Sequence, residues 1–262
     1  MEKISTESSF KPSHQPELRD VSYDELLDDT IGLSLKSLQS ISALIRRPIE
    51  YYSAAKTPFW ENRFSPSFRI YAGLIAISTG MKFLYRDPES PMVTLYAGQF
   101  KTIIESGPAD SPLTGVDPTL LAIATLKWYF IFSPFAMILL FTLLGFLYWG
   151  FGEKLSPVVR IRYVFATMIP ASLVGILLII PMFYGPDITK LFFSITGMLF
   201  MLAACWITSY KGAFSTVQTK SGRVGRATAF SVLIMIVMFI SAFIAMIAGS
   251  IFGVKEVLSA LS

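Results

Sequence analysis

Charge is scarce in this sequence. Asp, Glu, Lys and Arg make up 15% of its 262 residues and hydrophobic residues 53%, against roughly 25% and 45–50% in soluble domains. With a mean hydropathy of +0.57, much of the folded surface has to face something other than water. That excludes a secreted or cytosolic enzyme and points to an integral membrane protein. Cysteine, histidine and asparagine occur once each, as Cys205, His14 and Asn62. A disulfide framework and a His/Cys metal site are therefore excluded. So is an N-x-[ST] glycosylation acceptor, because Arg63 and Phe64 follow Asn62.

Long apolar runs are what the sequence has in quantity. A membrane-crossing helix needs about 20 mainly apolar residues, at ~1.5 Å rise each, to cover a hydrocarbon core of ~30 Å. Five runs qualify, at about 70–85, 128–151, 163–184, 189–210 and 227–253. The expected fold is all-α: a polytopic membrane helical bundle with five transmembrane helices over 67–253, preceded by amphipathic N-terminal helices. The first run is the shortest, and Lys82 near its end has to snorkel to the headgroups. Thr119–Leu126 forms an apolar lead-in to the second, with Asp117-Pro118 as its N-cap and first turn. Pro134 lies inside the second run, so a long kinked helix and an interfacial helix that turns inward both fit. Pro170 and Pro181 interrupt the third.

The loops carry unequal positive charge. Twelve Lys and Arg residues fall on the side of the N-terminus, among them Arg46, Arg47, Lys154, Arg160, Arg223 and Arg226; six fall on the other, among them Lys82, Lys101 and Lys127. The Lys/Arg-rich side is normally cytoplasmic, so the N-terminus is expected in the cytoplasm and the C-terminus in the periplasm or a lumen. The formal net charge of +4 is accounted for by this distribution and no nucleic-acid partner is implied. The first thirty residues contain no hydrophobic stretch, so no cleavable signal peptide is expected. A Met-rich, Asn-poor composition suits a bacterial inner membrane, and an endomembrane would serve the same physics.

Residues 1–29 are polar, end in an acidic run and read as a disordered cytoplasmic tail. Residues 30–66 read as amphipathic interfacial helices. Ile31, Leu35, Leu38, Ser42 and Ile45 recur at helical spacing behind Thr30 as N-cap, and a second short helix, Pro48–Lys56, carries Ile49 and Tyr52. Trp60 and Phe64 with basic neighbours suit the headgroup level. The alternative is that this helical pair packs on the cytoplasmic ends of the spans. The outer loop 87–117 is expected to cap the bundle, with Met92–Ser106 as a short helix or half-buried strand, and 254–262 forms an outer tail.

Chemistry has few places to reside. The runs contain no Asp, Glu or His, and a Ser, Thr or Cys nucleophile would have no base. No catalytic residue, cofactor or metal ligand is predicted, and a membrane-bound enzyme ranks last. Lys82 and Lys127 are candidate headgroup contacts or an anionic-ligand site. Arg223 and Arg226, in the stretch Lys220–Arg226, match no nucleotide fingerprint and read as a basic turn facing anionic lipid. Small residues recur every four positions at Ser241, Ala245, Gly249 and Gly253, and again at Ala72, Ala76 and Gly80. Such faces let helix backbones approach closely, and they either close the bundle or make a homo-oligomer.

The segment from Leu38 to Tyr52, LQSISALIRRPIEYY, is a helix, then a proline, then aromatics, ahead of a Phe64-Ser-Pro66 approach to the first span. With a polar N-terminal segment, five clustered spans and an external C-terminus, it resembles the Yip1-type five-span membrane proteins. It is also similar to uncharacterised bacterial membrane proteins in which a zinc ribbon precedes such spans. No Cys-x-x-Cys ribbon exists here, which removes a zinc role. The resemblance covers roughly residues 30–253; its eukaryotic members imply a part in vesicle traffic and contacts with small GTPases, which no single residue here carries over. The expected function is that of a non-catalytic membrane organiser or accessory subunit, with membrane lipids and a protein bound by the N-terminal segment as partners. The rival is a permease or lipid-handling protein for an anionic amphiphile, using Pro134, Pro170 and Lys127.

Overall fold

A computed structural model of the protein describes residues 35–58, 60–83, 90–108, 110–151, 153–184 and 187–261. The expected tail 1–29, the Thr30 cap and Ile31 lie outside the described residues. Prolines set most of the helix starts, because proline at a first helical position gives up an N–H that would have no partner anyway. Helix α1 (Leu35–Arg46) stops at Arg47, the residue before Pro48, and α2 (Pro48–Ala54) begins there. Helix α3 (Ser67–Phe83) follows Pro66. Helix α4 (Pro91–Ser106) is capped by Ser90, whose side chain accepts from the Val93 N–H at 3.3 Å. Helix α5 (Pro118–Leu147) is capped by Asp117, which accepts from the Thr119 N–H at 2.8 Å.

Helix α6 (Pro157–Tyr184) keeps its course through Pro170 and Pro181. Helix α7 (Asp187–Thr208) widens into a π-helical turn at Ser209–Ala213. Helix α8 (Lys220–Leu261) has 42 residues, or about 63 Å, twice the thickness of a hydrocarbon core. Among the described residues there is no strand.

Among the described residues, three helices are long and apolar enough to cross a membrane: Pro118–Leu147, the Pro157–Ile179 part of α6, and Lys220–Leu261. At 17 described residues, α3 stands at the lower limit of the roughly 17–25 that a crossing takes. Several limits differ from the expected ones. The apolar lead-in at 119–126 and the second run are one helix that ends at Leu147, leaving Tyr148–Phe151 in a turn. The stretch Lys220–Arg226 and residues up to Leu261 are the first and last turns of α8. Gly222 and Gly225 suggest a loop by propensity, and tertiary contacts of the flanking arginines override it.

Helix α8 packs along α5, α6 packs against both α3 and α7, and α4 lies on α5. The α5–α8 seam is close. A Cβ at Gly253 would stand 2.6 Å from the Thr125 nitrogen, and one at Gly249 2.8 Å from the Thr125 oxygen. The largest buried rings gather at one end of the bundle, where Tyr51, Tyr52, Tyr71, Phe141, Phe151, Tyr163, Phe165, Phe214 and Phe230 form the main core with α1 and α2.

Candidate functional site

Two regions bring together polar groups from distant parts of the chain: the bundle end that carries α1 and α2, and a cavity between α3, α5 and α6.

At the first, α2 inserts Tyr52 into the bundle. Its hydroxyl lies 2.7 Å from Thr167 Oγ1, and the Tyr163 hydroxyl donates to the Tyr52 carbonyl at 3.1 Å. The Tyr52 ring fills the space over Gly212 in the π turn, where any Cβ would overlap it. Glycine is required there for close approach. Tyr51 donates to the Ser65 carbonyl at 3.0 Å and stacks near Trp60, with ring centroids 5.0 Å apart. Burial pushes both phenols up, so they remain donors at any physiological pH. Helix α1 is tied down by Ser40, whose Oγ accepts from the Ser65 N–H at 2.8 Å.

The connection between α2 and α3 passes through Trp60, Glu61 and Asn62, with φ of 51°, 53° and 55°. Three consecutive left-handed residues without a glycine are strained. Arg162 holds the approach to this turn. Its guanidinium donates to the carbonyls of Ala55 (2.9 Å), Thr57 (2.7 Å) and Pro58 (3.3 Å) and lies 5.3 Å from the Trp60 ring centroid.

Other arginines act alike on the carbonyls of helix ends and turns. Arg160, 2% exposed, donates to Tyr148 O at 3.1 Å and sits over the Trp149 ring. Arg223 donates to the carbonyls of Phe214 and Ser215, and Arg226 to Gly150 O at 3.1 Å. Orphan carbonyls at helix C-termini favour such cations. Arg223 and Arg226, candidate headgroup contacts by sequence, are thus engaged in stapling turns to the bundle.

The platform made by α1 and α2 buries Ser37, Ser40, Ile41, Ala43 and Leu44. Leu35, Leu38, Ile45 and Ile49 are each more than half exposed. Exposed Lys36, Arg46 and Arg47 flank them.

Of the two candidate lysines, Lys127 is paired: its ammonium lies 2.6 Å from Glu256 Oε1, and Trp128 Nε1 donates to the other carboxylate oxygen at 2.6 Å. Glu256 follows the apolar run of α8, and no local spacing signals its pairing across 129 residues. Lys82 lines a cavity of about 300 Å³ together with Pro134, the proline inside α5. The cavity's methionines come from α4 to α8, and sequence reasoning had no signal for their convergence. Ser241, Ala245, Gly249 and Gly253 are buried, the two glycines directly against α5. Ala76 and Gly80 are exposed, and a Cβ at Gly80 would meet nothing within 4 Å. Ala72 is half-buried. Among the described residues no three His, Cys, Asp or Glu side chains gather as a metal would require. No protein-family model, curated protein or solved structure matches the chain.

Proposed function

We propose that the chain is a non-catalytic, five-span integral membrane protein of the Yip1-like kind. It acts as a membrane organiser or accessory subunit through an N-terminal platform at the cytoplasmic face. The observation that carries this reading is the way α1 and α2 are fixed. Tyr52 and Arg162 lock them to the bundle, yet Leu35, Leu38, Ile45 and Ile49 stay exposed beside Lys36, Arg46 and Arg47. An apolar stripe held rigidly with basic neighbours suits the headgroup region of an anionic leaflet or the face of a bound subunit. In this reading α3 and α7 complete the set of spans.

Photo-reactive residues placed at Leu38 and Ile45 in native membranes test it. Discrete protein adducts that vanish with Tyr52→Ala are expected. Adducts unchanged by Tyr52→Ala would contradict a role for the locked platform.

A second reading, the handling of an anionic amphiphile, is favoured by the cavity beside Lys82.

A further inference from the structure

We infer that the cavity between α3, α5 and α6 is a binding site for a single-chain anionic amphiphile, whose carboxylate or phosphate meets Lys82 while its alkyl chain lies among methionines. This deepens the amphiphile-handling reading and rests on the bundle being membrane-embedded. It does not depend on the platform's role.

The α3 wall of the cavity is graded. Tyr71, Leu74 and Ile75 line it in the first half of the helix, and Ser78, Thr79 and Lys82 in the second. These positions are three or four residues apart, so they share one face and change from apolar to polar along it. An amphiphile has the same gradient. Opposite stand the hydroxyl-bearing Tyr129 and Ser133 of α5, with Pro134 next to them. Met137, Met168, Met201 and Met238 reach the cavity from α5, α6, α7 and α8. Unbranched, polarizable thioethers adapt to a flexible chain better than branched side chains do.

Charge decides the sign of the ligand. Lys82 is half-buried, and among the described residues its ammonium has no ion-pair partner, whereas Lys127 has Glu256. A cation in an apolar wall is costly until an anion joins it. A cationic amphiphile is excluded by repulsion, and a neutral one brings the ammonium no counter-charge. Size decides the rest. The volume of about 300 Å³ is twice that of an engineered ~150 Å³ apolar cavity that accepts benzene, so it holds about twelve heavy atoms. That is one medium alkyl chain and too little for a diacyl lipid.

The test is equilibrium binding of radiolabelled octanoate, octyl phosphate and octanol to the full chain in phosphatidylcholine nanodiscs, with empty nanodiscs as background. Octanoate, octyl phosphate or both should bind saturably, and which of them does so identifies the headgroup. Octanol should bind about tenfold or more weakly than the better-bound anion, as expected for loss of one charge-assisted hydrogen bond. Lys82→Met should reduce anion binding to the octanol level, Lys82→Arg should retain it, and Lys127→Met should leave it unchanged. Ser172→Phe, which fills the cavity, should abolish binding of all three probes. Octanol binding as tight as that of the better-bound anion, or anion binding that survives Lys82→Met or Ser172→Phe, would overturn the site. Saturable binding without transport across proteoliposomes would keep the site and remove only the permease reading.

Discussion

At Tyr52 the ring and the hydroxyl have separate roles. The hydroxyl meets Thr167 while the ring occupies the volume that Gly212 leaves open. Tyr52→Phe therefore loses about 1 kcal/mol, one buried hydrogen bond, and Tyr52→Ala about 3–5 kcal/mol, a large aromatic cavity. Thermal unfolding in detergent should show this order, with proteolysis at the Thr57–Arg63 turn rising only for the alanine variant. Alkaline pH offers an independent check. The phenols of Tyr51 and Tyr52 are raised by burial, so the folded platform holds their protons where the unfolded chain, with phenols near pH ~10, gives them up. Their contribution is full below about pH 10 and is lost as pH climbs above it. Platform protection from protease should follow that course. The aromatic pair after Pro48 was legible as a feature of the sequence; its target was not, because Thr167 and Gly212 lie more than a hundred residues away and no local period encodes them. Arg162 is a similar case. Counting charge assigns it to the cytoplasmic excess, and only the fold shows that it holds three carbonyls.

Helix pairing was legible as far as small residues at four-residue spacing go. That spacing says a helix has a smooth face; it does not say which face finds a neighbour. On α8 the face meets α5 so closely that Gly253 leaves no room for a methyl group, since the obstruction is the backbone around Thr125. On α3 the corresponding stripe faces outward at Ala76 and Gly80. Gly253→Leu and Gly249→Leu should therefore cost at least the 1–3 kcal/mol typical of overpacking. They should broaden the size-exclusion peak, while Gly80→Leu should stay within about 0.5 kcal/mol of the parent. Equal behaviour of the two groups would contradict the packing described here. Helix limits were less legible than helix existence. Glycines at 222 and 225 suggest a loop, and the arginines between and after them, bound to the carbonyls of Phe214 and Gly150, make it a helix start.

At the scale of the molecule, three helices among the described residues carry the apolar length for a membrane, and composition alone announced that class. Which end of the bundle gathers its aromatic core followed from nothing in the composition. The large buried rings concentrate where α1 and α2 dock, and the arginine staples lie at the same end. The cations that the charge count assigns to one side of the membrane close helix ends and turns in the fold. The cavity adjoins that core, with Tyr71 common to both, and lies between α3, α5 and α6 with a side chain from α4; it joins residues from six helices that no segment of sequence places together.

Single-cysteine accessibility in a Cys205→Ser background tests most directly the proposed five-span bundle with its platform inside the cell. Cysteines at Ser42, Lys154 and Thr216 should react with a membrane-impermeant maleimide only after the inner face is exposed. Those at Ser111 and Val257 should react in intact cells. Labelling of Ser42 and Ser111 from the same side would show that α3 does not cross, and the five-span arrangement would fail.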